Sequence, residues 1–435
     1  MTNTKIGILG GGLTGLTVAH LLKCSYEILE KESECGGLCR SITENGFTFD
    51  YGGAHAFFSK DKETLNLILK ILGENSVKSK RNAKVFFSGK YIKYPFENGL
   101  SELPPEDNFE CLYHYVNGLL SDRKKPENFE EWLYYSFGKG IAEKYLIPYN
   151  NKIWNYDLKN MGIDFVEKTR IPQPPLKDIL KSSLGIETEG FLHQLYFYYP
   201  EHGGTQAFIK SLEKDVTNVV RNFDVKKIKK AGSQWLVSDG NTEKTYDKLI
   251  SAIPVFELIS ALEDVPENIV EAVQSLKYNS LICIMIGLNK IKKTDISWLY
   301  VPNKKYKFHK MSFPANYSKF TVPENKSSVM VEITSNKGDG TWEMSDEDLI
   351  NEAIGGLDEM GIIDKKEVIY SSTKRSKYAY VIYDKMYSKN LSIIKRYLED
   401  IGIELCGRFA EFEYLNMDAC VFRAIRLAEG INKNE

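Results

Sequence analysis

The stretch Lys5-Ile6-Gly7-Ile8-Leu9-Gly10-Gly11-Gly12-Leu13-Thr14-Gly15 runs from a short apolar segment into a glycine turn. Lys5–Leu9 reads as a buried strand, Leu13–Lys23 carries apolar residues at helical spacing, and Tyr26–Leu29 reads as a second strand ending in Glu30. That order makes a βαβ unit. Gly10 to Gly15 fits G-x-G-x-x-G in the strand, turn and helix context that gives the pattern its physical meaning. The first glycine permits the tight turn, the second lets backbone approach a pyrophosphate, and the third lets the helix pack on the strand. Amides at the helix start then face the phosphates. Glu30 ends the second strand, where a carboxylate accepts hydrogen bonds from ribose hydroxyls and repels a phosphate on that ribose.

Outward from this unit, Gly36-Gly37-Leu38-Cys39-Arg40 adds a second glycine pair and an arginine, further donors to a pyrophosphate that a bare dinucleotide turn does not require. Phe49-Asp50-Tyr51-Gly52-Gly53-Ala54-His55 follows as a strand end able to lie against a planar cofactor. No second G-x-G-x-x-G opens a comparable unit. One tightly held dinucleotide is implied, and FAD fits better than NAD.

Composition bounds the rest. At 435 residues the chain can bury a large core and leave a cleft between lobes. Lys plus Arg is 57 and Asp plus Glu is 59, for a net charge of −2, so no global basic field exists to hold nucleic acid or an anionic membrane. Any phosphate site must be local. Tyr (26) and Phe (22) far outnumber Trp (5), and tyrosine suits a polar ligand pocket because it joins an apolar body to a hydroxyl. Seven scattered cysteines do not suit a disulfide scaffold, and Cys35 and Cys39 have no second pair at metal-ligand spacing, so no metal site and a cytoplasmic location are expected. The longest apolar stretch, Leu281–Leu288, is far short of the roughly 20 residues that cross a bilayer. No membrane span is expected.

Residues from about Asn108 to Lys181 turn helical and end at Ile171-Pro172-Gln173-Pro174-Pro175. Phe191–Tyr199, Gln234–Ser238, Leu249–Ile253, Asn279–Leu288, Trp298–Val301 and Ser328–Ile333 read as strands, and Leu391–Leu398 and Asp418–Gly430 as helix. The expected fold class is α/β: a Rossmann-like FAD-binding domain, an inserted helical domain and a mostly antiparallel β-sheet substrate domain. Residues 1–80, 203–258 and 393–435 are assigned to the first, 105–185 to the second, and 81–104, 186–202 and 259–392 to the third.

Gly10–Gly15, Glu30, Gly36-Gly37 and Phe49–Gly53 together resemble the flavin enzymes that include amine oxidases, protoporphyrinogen oxidases and UDP-galactopyranose mutases. Tyr94-Pro95-Phe96-Glu97-Asn98, Pro148-Tyr149-Asn150-Asn151-Lys152-Ile153-Trp154, Tyr199–Thr205, Trp298–Pro302 and Gly407-Arg408-Phe409 with Tyr414 narrow the resemblance to the UDP-galactopyranose mutases over nearly the whole chain. That resemblance implies a reaction without net redox change. N5 of reduced FAD attacks the anomeric carbon of a nucleotide-sugar, the nucleoside diphosphate leaves, and the sugar recloses in the other ring size. NADH or NADPH is a candidate reductant.

Carried over by resemblance, the cofactor residues are Gly10, Gly12, Leu13, Thr14, Gly15, Glu30, Lys31, Gly37, Leu38, Arg40, Gly53, Ala54, His55, Arg408 and Asn416. His55 is expected near N5, and Arg170 and Lys310 are the cations for the diphosphate, Lys310 where relatives have arginine. Tyr94 and Phe96 sandwich the base with Glu97 at its edge, Asn150 and Trp154 border the sugar, and Tyr300, Tyr380 and Tyr414 donate hydroxyls. The family has glutamine at position 97. A carboxylate only accepts, which suits the paired donor edge of guanine better than uracil. Asn416-Met417-Asp418-Ala419-Cys420 lacks the histidine of the family's Asp-His-Ser motif. The rival enzyme class is an oxidoreductase of the amine oxidase or protoporphyrinogen oxidase kind, which shares the flavin domain.

Overall fold

A computed structural model of the chain describes residues 4–163, 166, 173–190, 194–291 and 294–434. Two sheets organise it. The first has five strands in the order Ile403–Leu405, Lys248–Ser251, Lys5–Leu9 (β1), Ser25–Leu29 (β2) and Val219–Val220, every neighbouring pair parallel. Ile6, Ile8 and Leu9 of β1 are fully buried, as a central parallel strand covered on both faces requires. Helix Leu13–Leu21 (α1) packs against helices Thr205–Glu213 and Met417–Asn434, through a core that includes Leu16, Val18, Phe208, Leu212 and Val421. This is a Rossmann-like sheet assembled from three separated stretches of chain.

The second sheet has seven strands in the order Val368–Ile382, Lys277–Leu288, Ser327–Ser335, Lys310–Ser312, Trp298–Tyr300, Ala83–Phe87 and Lys90–Lys93. Its pairs are antiparallel except Trp298–Tyr300 beside Ala83–Phe87. The apolar run Leu281–Leu288 lies in the second strand of this sheet and is buried throughout. No helix among the described residues is long and apolar enough to cross a membrane. Helices Pro105–Leu120, Phe129–Ile141, Ile147–Trp154 and Leu176–Ser183 form a separate helical layer. Asn128 starts the second of these by accepting the Glu131 N–H at 3.0 Å.

Most expected elements form with shifted ends: the last two helices run Tyr387–Ile401 and Met417–Asn434. The expected strand Phe191–Tyr199 is Tyr196–Tyr199, with 191–193 outside the described residues, as are Ile171 and Pro172. Strand Val368–Ile382 has no apolar periodicity through Ser371-Ser372-Thr373-Lys374-Arg375-Ser376-Lys377. It forms because the Lys277–Leu288 strand offers it a free edge.

Between the two sheets runs Phe49–His55. Phe47 and Phe49 pack on Leu281, Cys283, Met285 and Met330 of the large sheet. Asp50, also buried, accepts from the Ser41 hydroxyl (2.6 Å), the Tyr199 hydroxyl (2.8 Å) and the Thr205 N–H (3.0 Å), the last at the start of helix Thr205–Glu213.

The β1 to α1 crossing depends on one hydrogen atom. A Cβ at Gly15 would lie 2.0 Å from the Gly10 carbonyl oxygen. Neither partner is a flexible side-chain end, so backbone must move. Gly15→Ala is expected to destabilise the chain by about 1–3 kcal/mol, read from its urea midpoint, and to lower dinucleotide retention. An unchanged midpoint contradicts this packing.

Candidate functional site

Two glycine turns meet at the start of α1. The Gly36 N–H donates to the Gly11 carbonyl at 2.9 Å, and a Cβ at Gly37 would stand 3.6 Å from Gly12 Cα. Gly10 takes φ +98°, which an L side chain rarely adopts, and its N–H donates to the Leu29 carbonyl at 2.8 Å. At Gly12 a Cβ would meet nothing within 4 Å, so the cradle is open on the side toward which the helix start points. Glu30 is 7% exposed; its carboxylate accepts the Gly11 N–H at 2.7 Å and the Glu32 N–H at 2.9 Å. Leu13 and Thr14 are buried in the first turn of α1, and Gly407 closes on the Thr14 side chain. Leu38 backs onto Gly52, and Arg40 Nε donates to the Gly37 carbonyl at 3.3 Å while its guanidinium covers Tyr51 at 5.5 Å. Lys31 stands apart, exposed and 3.9 Å from Glu32. These donors, the open cradle and the ribose-side acid fit a dinucleotide such as FAD.

The loop Gly53–His55 leads from this cradle to the large sheet. Glu332, 1% exposed, accepts the Ala54 N–H at 3.1 Å and a Lys310 Nζ hydrogen at 2.9 Å on the same oxygen. Burial alone would raise the Glu332 carboxyl, but the Lys310 ammonium outweighs it and holds the carboxyl below its usual range. Burial would likewise lower Lys310, and Glu332 keeps it above the usual lysine range. His55 Nδ1 is buried without a partner, and burial holds that imidazole below its ordinary pKa.

Tyr300 lies opposite Lys310 in strand register. Its ring is 4.6 Å from Tyr94 and 5.2 Å from Tyr149. Tyr380 and Tyr414 stack at 5.9 Å, the Trp154 ring meets them at 6.1 and 5.8 Å, and the Arg408 guanidinium covers Tyr414 at 4.5 Å. Arg408 donates to the Leu415 (2.8 Å) and Ala379 (2.6 Å) carbonyls, which fixes the turn after Gly407 onto the sheet, while its Nε is buried without a partner. Asn416 stands just before the last helix, its carbonyl accepting the Cys420 N–H at 2.9 Å. Burial raises the Tyr94, Tyr300 and Tyr380 hydroxyls above their usual pKa, so they are protonated donors at neutral pH.

Two of the expected residues, Phe96 and Asn150, sit otherwise than read from sequence. Phe96 is 0% exposed, stacked on Tyr145 at 5.1 Å and edge-on to Phe87 at 5.7 Å, so it offers no free face for a sandwich with Tyr94. The tight turn at Pro95 turns it into the helical layer's core. Asn150 is spent on scaffolding: its oxygen accepts the Trp154 indole N–H at 2.9 Å and its nitrogen donates to the Leu146 carbonyl at 2.8 Å. Arg170 lies outside the described residues. Glu97 is buried, which pushes its carboxyl up to about 7.

Sequence reading missed Glu332, although one carboxylate inside Val329-Met330-Val331-Glu332-Ile333 is a signal in itself. It also missed Arg81, 3% exposed at the side chain, paired with Glu189 at 2.7 Å and 5.8 Å from the Tyr94 ring. His309 is buried with neither ring nitrogen partnered, and burial drives its pKa down to about 3. Among the described residues no group of three or more His, Cys, Asp or Glu is placed to hold a metal ion.

The Lys310 to Glu332 pair makes a prediction with a defined sign. Lys310→Met leaves a buried uncompensated carboxylate, expected to cost about 3–5 kcal/mol near pH 8. In that variant the folded-state pKa of Glu332 lies above its unfolded value, so proton uptake favours the folded state and the deficit shrinks as pH falls to about 5. The wild-type carboxyl, held low, gives the opposite slope. Urea unfolding at both pH values measures this, and a deficit independent of pH rules out the buried pair.

The model of the NAD(P)-binding Rossmann-like domain family matches residues 8–72. Among curated proteins, the inactive all-trans-retinol 13,14-reductase of Danio rerio is 31% identical over 78 residues, 17% of this chain and 13% of that protein, so the match spans a small part of that relative. Among solved structures, reduced UDP-galactopyranose mutase superposes with a TM-score of 0.91 at 24% identity, covering 100% of this chain and 95% of that one. A candidate protoporphyrinogen oxidase from Exiguobacterium sp. 255-15 gives 0.78 at 18% identity with full coverage of both chains. Putrescine oxidase bound to putrescine gives 0.67 at 16%, covering 98% of each. Over its whole length, and with a Rossmann-like core, the chain has the fold of UDP-galactopyranose mutase, which the two oxidases share at lower similarity.

Proposed function

We propose that the chain is a FAD-dependent nucleotide-sugar mutase that interconverts pyranose and furanose rings without net redox change. The observation that carries this reading is the convergence of Lys310, Tyr300, Tyr380 and Tyr414 beside Gly53–His55, the loop leading out of the dinucleotide cradle. When bound, reduced FAD supplies a nucleophilic nitrogen for the anomeric carbon. Gly10–Gly15, Gly37 and Arg40 hold its pyrophosphate, and Glu30 its ribose. Lys310 and the tyrosine hydroxyls hold the departing diphosphate, a stabilisation of developing charge by groups already in place. Trp154 covers the sugar, and the surrounding rings exclude water. Arg170 is the second cation in this reading, and the three-domain division given above places the cleft between the Rossmann-like sheet and the large sheet.

A second reading, a FAD-dependent oxidoreductase, draws on one observation. Lys310 already has a counter-charge in Glu332, as Arg81 has in Glu189, so the site also suits an uncharged substrate. Turnover separates the two. Anaerobic, dithionite-reduced protein should convert one of a panel of nucleotide-sugars between ring forms, followed by chromatography, while oxidised protein should not. Steady oxygen uptake with an amine or porphyrinogen and no sugar conversion would decide for the oxidoreductase.

Glu97 gives a base-specific expectation. An ionised carboxylate accepts from the guanine donor edge, so GDP affinity should rise up to about tenfold as pH climbs from 6 to 8 through the Glu97 pKa. Glu97→Gln should flatten that profile and favour UDP. Tighter UDP than GDP binding by the wild type at pH 8 would exclude guanine.

A further inference from the structure

Lys152 belongs to the Pro148–Trp154 motif, yet neither the cradle nor the diphosphate groups use it. Its ammonium points into the protein and donates to three main-chain carbonyls: Val301 at 2.7 Å, Asn303 at 3.0 Å and Phe308 at 2.6 Å. Burial pushes the amine down to about 7, while hydrogen bonds to carbonyl oxygens favour its charged form. An ammonium has one hydrogen for each acceptor; a neutral amine would leave one carbonyl unpaired.

Those carbonyls come from both ends of one loop. Val301 follows Tyr300, and Phe308 stands two residues before Lys310. The flanking strands Trp298–Tyr300 and Lys310–Ser312 pair with each other, so the loop is a hairpin connection with the two ligand-facing residues at its base. Lys152 itself sits on helix Ile147–Trp154, two positions before Trp154, and its carbonyl accepts from the Thr334 hydroxyl two residues past Glu332. One side chain therefore joins the wall that carries Trp154 to the wall that carries Tyr300 and Lys310.

We propose that Lys152 is a positioning residue: by gathering the 301–308 loop onto one ammonium, it fixes Tyr300 and Lys310 relative to Trp154 and sets the width of the cleft between them. The consequence for ligands rests on reading Tyr300 and Lys310 as diphosphate-binding groups. Lys152→Met keeps the aliphatic stem and removes the donors. In the FAD-loaded protein, amide hydrogen exchange in 301–309 should rise about tenfold or more, with exchange in the five-stranded sheet and FAD content unchanged. The Kd for UDP and GDP should rise about tenfold, and Lys152→Met combined with Lys310→Met should lose clearly less than the product of the two single losses, because part of the Lys152 effect acts through Lys310. Lys152→Arg, which keeps charge and donors, should recover part of the affinity; it and Lys152→Gln serve for the same comparison if the Met variant does not fold. Unchanged exchange in 301–309 overturns the clamp, and losses that multiply in the double variant overturn its action through Lys310. If Lys310→Met binds both nucleotides like the wild type, the diphosphate reading fails, and loop exchange alone still decides whether Lys152 holds the hairpin.

Discussion

A single carboxylate joins the two halves of the molecule. Glu332 sits in the fully buried Ser327–Ser335 strand of the large sheet and accepts the Ala54 N–H from the loop that leads out of the glycine cradle and a hydrogen of the Lys310 ammonium from the neighbouring strand. A charge this deeply buried is tolerated only when paired and hydrogen-bonded, so the contact constrains both partners at once. The Gly53–His55 loop cannot move without disturbing the partner of Lys310. Coupling between the glycine cradle and the large sheet thus runs through one oxygen atom.

Charge compensation recurs among the buried cations. Arg81 is matched by Glu189, Arg408 by two carbonyls and an aromatic stack, and Lys152 by three carbonyls. These partners leave the cations little side-chain freedom. The tyrosines complement them. Burial keeps their hydroxyls protonated, and mutual ring packing fixes where those hydroxyls point.

Much of this was legible because some chemistry is local. Gly10, Gly15, Gly36 and Gly37 are required by turns and close approaches within one βαβ unit, and the spacing to Glu30 reports the length of that unit. Tyr300 and Tyr414 lie in the quoted motifs, while Lys310 lies outside them and meets Tyr300 through strand pairing. Phe96 was placed by resemblance, which does not reveal which ring of Tyr94-Pro95-Phe96 turns into the core. Asn150 was misread because a helix lets it reach Trp154 and Leu146, one turn either side. Strand Val368–Ile382 is polar through its middle, and only an edge offered by a distant strand makes it a strand.

By itself the amino-acid sequence determined the Rossmann-like unit, the glycine cradle and the succession of helical and sheet regions, because each depends on neighbours within a few tens of residues. Tertiary structure alone decided the partners of the buried charges. Glu332 with Lys310 and Ala54, Arg81 with Glu189, and Lys152 with the carbonyls of a loop about 150 residues away all arise when strands and helices remote in the chain share one dry interior. There a charge takes whichever dipole or counter-charge the packing brings within about 3 Å.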